Sequence, residues 1–367
     1  MTPLEITHMR LHNQQIEGSR LSTAKELIGW MGAMQAQDYA MAKWAIGQRV
    51  PGTTDSSVEA AYNAGEIIRT HLMRPTWHFV SADDIYWMLE LTAPQVKRVL
   101  KSRDKQLELT ETIFSKSQDM LERMLSNCLS MTREELTQEY ANIHVATNEN
   151  RLSHLLMRAE LDGIVCSGPM RKNKLTYSLL ADRAPVRTVH SRDEALATLA
   201  GRYFKSHGPA TLRDFAWWSG LSVTDARRGL EMIKPTFLRE IIATETYWFA
   251  DTLKSLPPAA SSVHLMPAYD EYLIGYTDRS AALAAVHTQK AISTNGIFQP
   301  IIVVNGQVEG VWRRTTVKYL VKIETSHFQL HDPEILQGIE EEATRFGIFL
   351  DKKVEISFLQ FSGEEQQ

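Results

Sequence analysis

Gln35 and Gln37 put two neutral amides on alternate residues of the stretch Met34-Gln35-Ala36-Gln37-Asp38-Tyr39. On extended backbone, side chains two residues apart point the same way, whereas on a helix they diverge. Two groups that both donate and accept, aimed at one spot, can hold a water or a sugar without adding a charge. By spacing alone the same residues also describe an ordinary polar helix end, the commoner case for short motifs. Asp38 adjoins the pair as a candidate for electrostatic support, and Asp270-Glu271 are the other carboxylates considered for acid–base work. No spaced carboxylate pair demands that chemistry. A Gly-x-Ser-x-Gly elbow and a Gly-rich phosphate loop are both absent from the sequence.

Basic residues form three further groups: Arg69, His71 and Arg74; Arg171, Lys172 and Lys174; and Arg313-Arg314. Each group is a candidate grip on a DNA backbone, and each is equally a charged, solvated strand face. Trp77, Trp87, Trp217 and Trp218 can stack on bases, although an aromatic among aliphatic residues is usually core.

The chain that must position these groups has 367 residues, 43% hydrophobic and 23% charged, which fits a globular protein of two to four units. Its net charge of −4 gives no whole-chain sign of nucleic-acid binding. Residues 151–230 nevertheless carry 13 Lys/Arg against 7 Asp/Glu, while acidic clusters at 340–342 and 364–365 lie near the C-terminus. Cys128 and Cys166 are the only cysteines, so a disulfide scaffold and a cysteine-based zinc site are excluded and a reducing cytoplasm is expected. The 12 histidines show no His-x-His or His-Glu-x-x-His spacing, so no metal or cofactor is expected. An apolar signal region and a run of transmembrane length are both missing, and no membrane association is expected.

The patterning predicts a polar helix over 7–20, a helix capped by Thr23 and Glu26, and one over 57–65, then two strands around Arg74-Pro75. Ser81 with Asp84 predicts a helix that Pro94 breaks. Thr132 with Glu135 opens a helix pair, followed by a hairpin with its turn over 168–173. Ser191, Thr211 and Ser222 cap three more helices, with strands near 237–243 and 246–250. After a linker at 256–262 come strands at 263–265, 301–304, 308–312, 316–323 and 354–358, with Asn305-Gly306 as a hairpin turn and one helix over 334–346. The expected fold is α+β: a first winged-helix-like unit (1–80), a helical scaffold (81–128), second and third winged helices (129–185, 186–255) and a mainly β, barrel-like unit (256–367).

Four segments, in this order, resemble the winged-helix alkylpurine DNA glycosylases of the AlkZ-like family: Met34–Asp38, Arg69–His78, Gly163–Gly168 and Met266–Arg279. The likeness runs from about residue 5 to about residue 320. It implies tandem winged helices around a DNA-binding concavity and hydrolysis of the N-glycosidic bond of N-alkylated purines in double-stranded DNA, with crosslink unhooking in some members. The family's Gln-x-Gln motif falls on Gln35 and Gln37. Some relatives carry Gln-x-Asp there, and Pro75 stands where Gly is expected.

The chemistry agrees. A purine alkylated at N7 or N3 is cationic and leaves without an enzyme acid, so neutral dipoles that steady an oxocarbenium-like sugar and place a water suffice. No lysine adjoins the pair, so nothing argues for Schiff-base chemistry. The rival reading is a non-catalytic winged-helix DNA-binding protein or regulator. It accounts for the hairpins and basic faces but leaves Gln35 and Gln37 unexplained.

Overall fold

The computed structural model describes residues 1–187, 189–251 and 261–359. Helix α1 (Pro3–Asn13) opens on a Thr2–Glu5 capping box with Pro3 at its first position, so it starts and ends earlier than the sequence pattern suggests. Helix α2 (Ala24–Met31) opens on the expected Thr23–Glu26 box. Gly32, at φ +82°, ends it and turns the chain into strand β1 (Ala33–Gln35). Helices α3 (Tyr39–Arg49) and α4 (Asp55–Ala64) follow, then β2 (Ile67–His71) and β3 (Trp77–Ser81). The three strands form an antiparallel sheet in the order β1-β3-β2.

Helix α5 (Ile85–Gln106) runs straight through Pro94, where a break was expected. An internal proline costs about 3 kcal/mol in a helix. Trp87, Met88 and Leu91 before it and Val96 after it are all buried. At roughly 1.5–3 kcal/mol each, burying both halves outweighs that cost. Ser81 is also not the cap: it closes β3, and Asp84 precedes the helix with its carboxylate held by Arg202 and the Trp87 indole.

The next elements are α6 (Glu111–Leu125), β4 (Met131–Thr132), α7 (Arg133–Asn142), α8 (Arg151–Leu161), β5 (Val165–Arg171), β6 (Lys174–Leu179) and the short α9 (Leu180–Arg183). Their sheet order is β4-β6-β5. The hairpin turn is shorter than expected, only Lys172-Asn173, both at positive φ as two-residue hairpin turns require. Phe114, Leu121, Leu136, Tyr140, Leu155 and Val165 share one core, so α6 packs with α7 and α8.

The pattern returns in α10 (Arg192–His207), α11 (Leu212–Ser219), α12 (Val223–Ile233), β7 (Leu238–Ile242) and β8 (Glu245–Phe249). Here the strand between the first two helices shrinks to Ala210, which exchanges backbone hydrogen bonds of 3.1 and 2.8 Å with Trp248. Helix, strand, two helices and a hairpin therefore recur three times. Each time the first strand pairs with the last.

The remaining elements are β9 (Val263–Met266), α13 (Glu271–Ile274), α14 (Thr288–Ala291), β10 (Ile301–Val304), β11 (Gln307–Thr316), β12 (Leu320–His327), α15 (Pro333–Leu350) and β13 (Lys353–Leu359). They form a sheet in the order β13-β12-β11-β10-β9 with two free ends, not the barrel-like unit expected. Helix α15 crosses over to set β13 parallel to β12 and covers one face, so the sheet buries its apolar side under a helix rather than by closing on itself. Leu265, Ile302, Val304 and Trp312 face that side together with Trp44 and Phe349, while Met266, Ile301 and Val303 face Leu11 and Tyr272. Gly47 admits this packing, since a Cβ there would lie 2.6 Å from the Phe349 ring. Residues 256–260 of the expected linker and the acidic pair at 364–365 lie outside the described residues. Among the described residues no helix is long and apolar enough to cross a membrane.

Candidate active site

Strand β1 answers half of the backbone question raised by the two glutamines: Gln35 is its last residue, and Gln37 follows in a bend before the next helix. The strand is extended and pairs with β3, placing Gln35 opposite His78, and the ladder continues through the Ala36 amide, which donates to the Trp77 carbonyl at 2.7 Å. At Gln37 the side chain continues what the backbone began: its Oε1 accepts from the Trp77 amide at a long 3.4 Å. Gln35 is 5% exposed, whereas Gln37 is exposed. Asp38 caps α3, its Oδ1 accepting from the Met41 amide at 3.1 Å. That capping role satisfies a free helix-end donor.

Gln35 is held at both ends. Its backbone amide donates to Glu271 Oε1 at 2.6 Å, and its side-chain Oε1 accepts from Arg74 Nη2 at 2.8 Å. Glu271 is 1% exposed and takes two more partners on Oε2, the Trp218 indole at 3.0 Å and His207 Nε2 at 3.3 Å. Burial alone pushes the Glu271 carboxyl up, but the His207 and Gln35 donors and the Arg74 charge outweigh it and hold it below the usual range. Burial pulls Arg74 down, opposed by Glu271. His78, wholly buried and beside the Arg74 charge, is held down to about 3 and is therefore neutral, its Nδ1 donating to the Thr76 carbonyl at 2.9 Å. Arg74 also lies 5.5 Å over the Trp217 ring.

Three residues expected to reach for phosphates are thus interior. Arg69, 5% exposed, donates from Nε to the Ala36 carbonyl at 3.0 Å and lies 4.0 Å over Trp77. His71 pairs with the buried Glu160 of α8 and packs against Trp77. Arg74 grips Gln35. The cause is location: α8 and the third repeat close over the first hairpin. Gly220, at φ +67°, ends α11 so close to the hairpin turn that a Cβ there would sit 1.9 Å from the Met73 carbonyl oxygen. By contrast Arg171, Lys172 and Lys174 are exposed at the β5–β6 turn, Arg171 beside Glu135 and Lys174 3.5 Å from Glu134. Arg313 is exposed across from Glu324, and Arg314 is half-buried near Phe346. Trp87 and Trp218 are core, Trp77 is half-buried, and Trp217 is 44% exposed.

Asp270 and Glu271 are fixed groups rather than an acid–base pair. Asp270 takes both arms of Arg49, at 2.7 and 2.9 Å, with the remaining Arg49 donors on Gln14 and the Ala45 carbonyl. Sequence reasoning missed Arg49, His207 and Trp218 as partners of this segment. The one available signal was Asp270-Glu271 itself, two adjacent carboxylates inside an aromatic, apolar run. Lys43, the lysine nearest the glutamines in sequence, is bound to Asp55 and Glu59 at 2.7 and 3.1 Å. A cavity of about 630 Å³ lies elsewhere, between α5, α6 and α8, and includes neither glutamine.

A family model described as DNA glycosylase AlkZ-like matches residues 28–349. A relative named interstrand DNA cross-link repair glycosylase, from Streptomyces sahachiroi, is 26% identical over 329 residues, covering 83% of this chain and 85% of its own. The solved structure of Streptomyces sahachiroi DNA glycosylase AlkZ superposes with a TM-score of 0.81 at 21% identity, over 97% of this chain and 100% of that one. The two chains share a fold.

Proposed function

The chain belongs to the AlkZ-like DNA glycosylases, and from that membership we propose that it hydrolyses the N-glycosidic bond of N-alkylated, cationic purines in duplex DNA. The C1′–N bond breaks with its electron pair passing to the purine, which leaves neutral. A water oxygen bonds to C1′, and the water's proton goes to solvent. Gln35 and Gln37 are the catalytic residues, placing the water and the sugar. What supports this assignment is that both glutamines hold to β3 at one edge, Gln35 as the buried, doubly anchored last residue of β1 and Gln37, just beyond it, through an exposed and loosely held amide on the Trp77 backbone. Asp38 contributes through the cap of α3. With Lys43 committed to two carboxylates, water rather than a lysine amine is the nucleophile, and the enzyme is monofunctional.

The three repeats are winged helices, their topology being helix, strand, two helices and a hairpin with the first strand against the last. Arg171, Lys172 and Lys174 on the second wing and Arg313 on β11 are the phosphate contacts. Gln37 is exposed in the bend just past β1, which suits a lesion attacked without deep extrusion, bulky adducts and crosslinks included. Such a substrate places the protein at the nucleoid, in the cytoplasm.

The test is release of 7-methylguanine from a duplex oligonucleotide under single turnover. The Gln35→Ala, Gln37→Ala double variant is expected to lose roughly 10²-fold or more in rate, the scale of removing preorganised polar groups. Release near the wild-type rate would end the assignment.

A further inference from the structure

Arg74 was expected to hold DNA, yet its guanidinium turns inward: Nη1 is buried and Nη2 donates to the Gln35 side chain. That contact has a chemical consequence. A guanidinium has only donors, so the Gln35 atom facing it at 2.8 Å must be the amide oxygen. The flip that would exchange oxygen and nitrogen would set donor against donor. With Oε1 taken by Arg74 and the backbone amide by Glu271, the Nε2 hydrogens are the donors Gln35 has left for a substrate. Gln37 is the converse. Its Oε1 meets only the Trp77 amide, at 3.4 Å and on an exposed side chain, a weak bond that a better donor displaces.

We infer that Arg74 is a positioning residue for base excision: by taking the Gln35 amide oxygen it makes Gln35 a donor-only group toward substrate and leaves Gln37 as the amide that accepts from the attacking water. This rests on the glutamine pair being the site. It divides labour within that pair and reassigns Arg74 from DNA binding to the reaction. An acceptor on the water's O–H draws its lone pair toward C1′. A donor fits the water's other lone pair, or a sugar or phosphate oxygen of the lesion nucleotide, and fixes where that oxygen sits. Glu271, which takes the Gln35 backbone amide, offsets the Arg74 charge, so the guanidinium does not oppose the cationic sugar unaided.

Near-isosteric exchanges test this because a glutamate is an acceptor only. Single-turnover release of 7-methylguanine and duplex affinity across a salt series are measured for wild type, Gln35→Glu, Gln37→Glu, Arg74→Met and Arg74→Lys. Thermal melts accompany each variant. Gln35→Glu is expected to lose about 10²-fold or more in rate, because it removes both N–H donors, while Gln37→Glu stays within about 10-fold. Arg74→Met is expected to slow release about 10-fold or more with duplex affinity and salt slope unchanged, and Arg74→Lys, which still donates, to recover part of that loss.

A phosphate contact predicts the opposite pattern for Arg74→Met: an unchanged rate and a salt slope shallower by about 0.9. That result overturns the proposal, as does a Gln35→Glu variant as active as wild type. The Gln35→Ala, Gln37→Ala double variant separates the two levels. If it is active, the site reading itself is wrong. If it is inactive while Gln35→Glu is active, only the donor assignment falls.

Discussion

The hairpins of the first and second repeats share a strand order, and each carries three basic residues at or near its turn. In the first, Arg69 and His71 are 5% and 6% exposed and Arg74 is bound to Gln35. In the second, Arg171, Lys172 and Lys174 all stand in solvent. The difference comes from the neighbours. The first hairpin lies under α8, which supplies Glu160 to His71, and under the α11 terminus at Gly220. The tip of the second lies beside the acidic start of α7, with Arg171 also reaching the Ser130 carbonyl. The same scaffold thus buries one set of cations around Gln35 and leaves the other exposed, paired at most with surface carboxylates. Breaking a buried cation should therefore damage fold and catalysis. Breaking an exposed one should change affinity and its salt dependence.

The largest contrast is expected at Arg69. Arg69→Ala leaves the Ala36 carbonyl without its buried donor and removes the packing on Trp77. An unpaired buried acceptor costs about 1–3 kcal/mol and the lost cation–π contact about 2 more, so roughly 3–5 kcal/mol should vanish from urea-denaturation stability. Because Ala36 separates the two glutamines, base release should fall with it. A variant as stable as wild type would show that the buried and exposed sets are energetically alike.

Acid sensitivity gives the next effect. His78 is held at about 3, below its ordinary value of 6.5, so between those limits the unfolded chain binds a proton that the folded chain does not. Stability from this group is complete above pH 6.5 and is lost as pH falls toward 3, with a slope of at most about 1.4 kcal/mol per pH unit. Glu271, depressed from its ordinary 4.5, adds loss in the same direction at lower pH. His78→Gln should flatten the limb between pH 6.5 and about 4.5. An unchanged limb would place the buried titration elsewhere.

Much of this frame is legible in the sequence. Thr23–Glu26, Thr132–Glu135, Ser191–Glu194 and Thr211–Asp214 all cap helices as their spacing indicated, because a capping box is decided within four residues. Asn305-Gly306 turns as expected for the same reason. What failed depended on distant partners. Pro94 sits inside α5 because Trp87, Met88 and Leu91 before it enter one core while Val96 after it packs with Met157 and Leu161 of α8. The last sheet stays open because α15 covers its face, which no strand pattern reveals. At the site, the sequence left the backbone at Gln35 and Gln37 open between an extended stretch and a helix end, and neither the strand that ends at Gln35 nor the charges around the pair were legible. Arg69, Arg74 and Glu271 are 34, 39 and 236 residues from Gln35, and local sequence shows a charge without showing what it faces.

The smallest effect, and the sharpest probe of the exposed set, lies at the second hairpin. Lys174 sits 3.5 Å from Glu134, both more than half exposed, so this cation already has a carboxylate that a phosphate must displace. Exposed pairs of this kind contribute about 0.2–1 kcal/mol, and salt screens them. Removing the carboxylate should leave folding unaltered and free the lysine. Glu134→Gln is accordingly expected to tighten duplex binding by roughly 1.5–5-fold at low ionic strength, with the gain fading as salt rises. Lys174→Ala should weaken binding and reduce the salt slope by about 0.9. If Glu134→Gln changes nothing while Lys174→Ala also changes nothing, this hairpin does not touch DNA, and the phosphate contacts belong to another face.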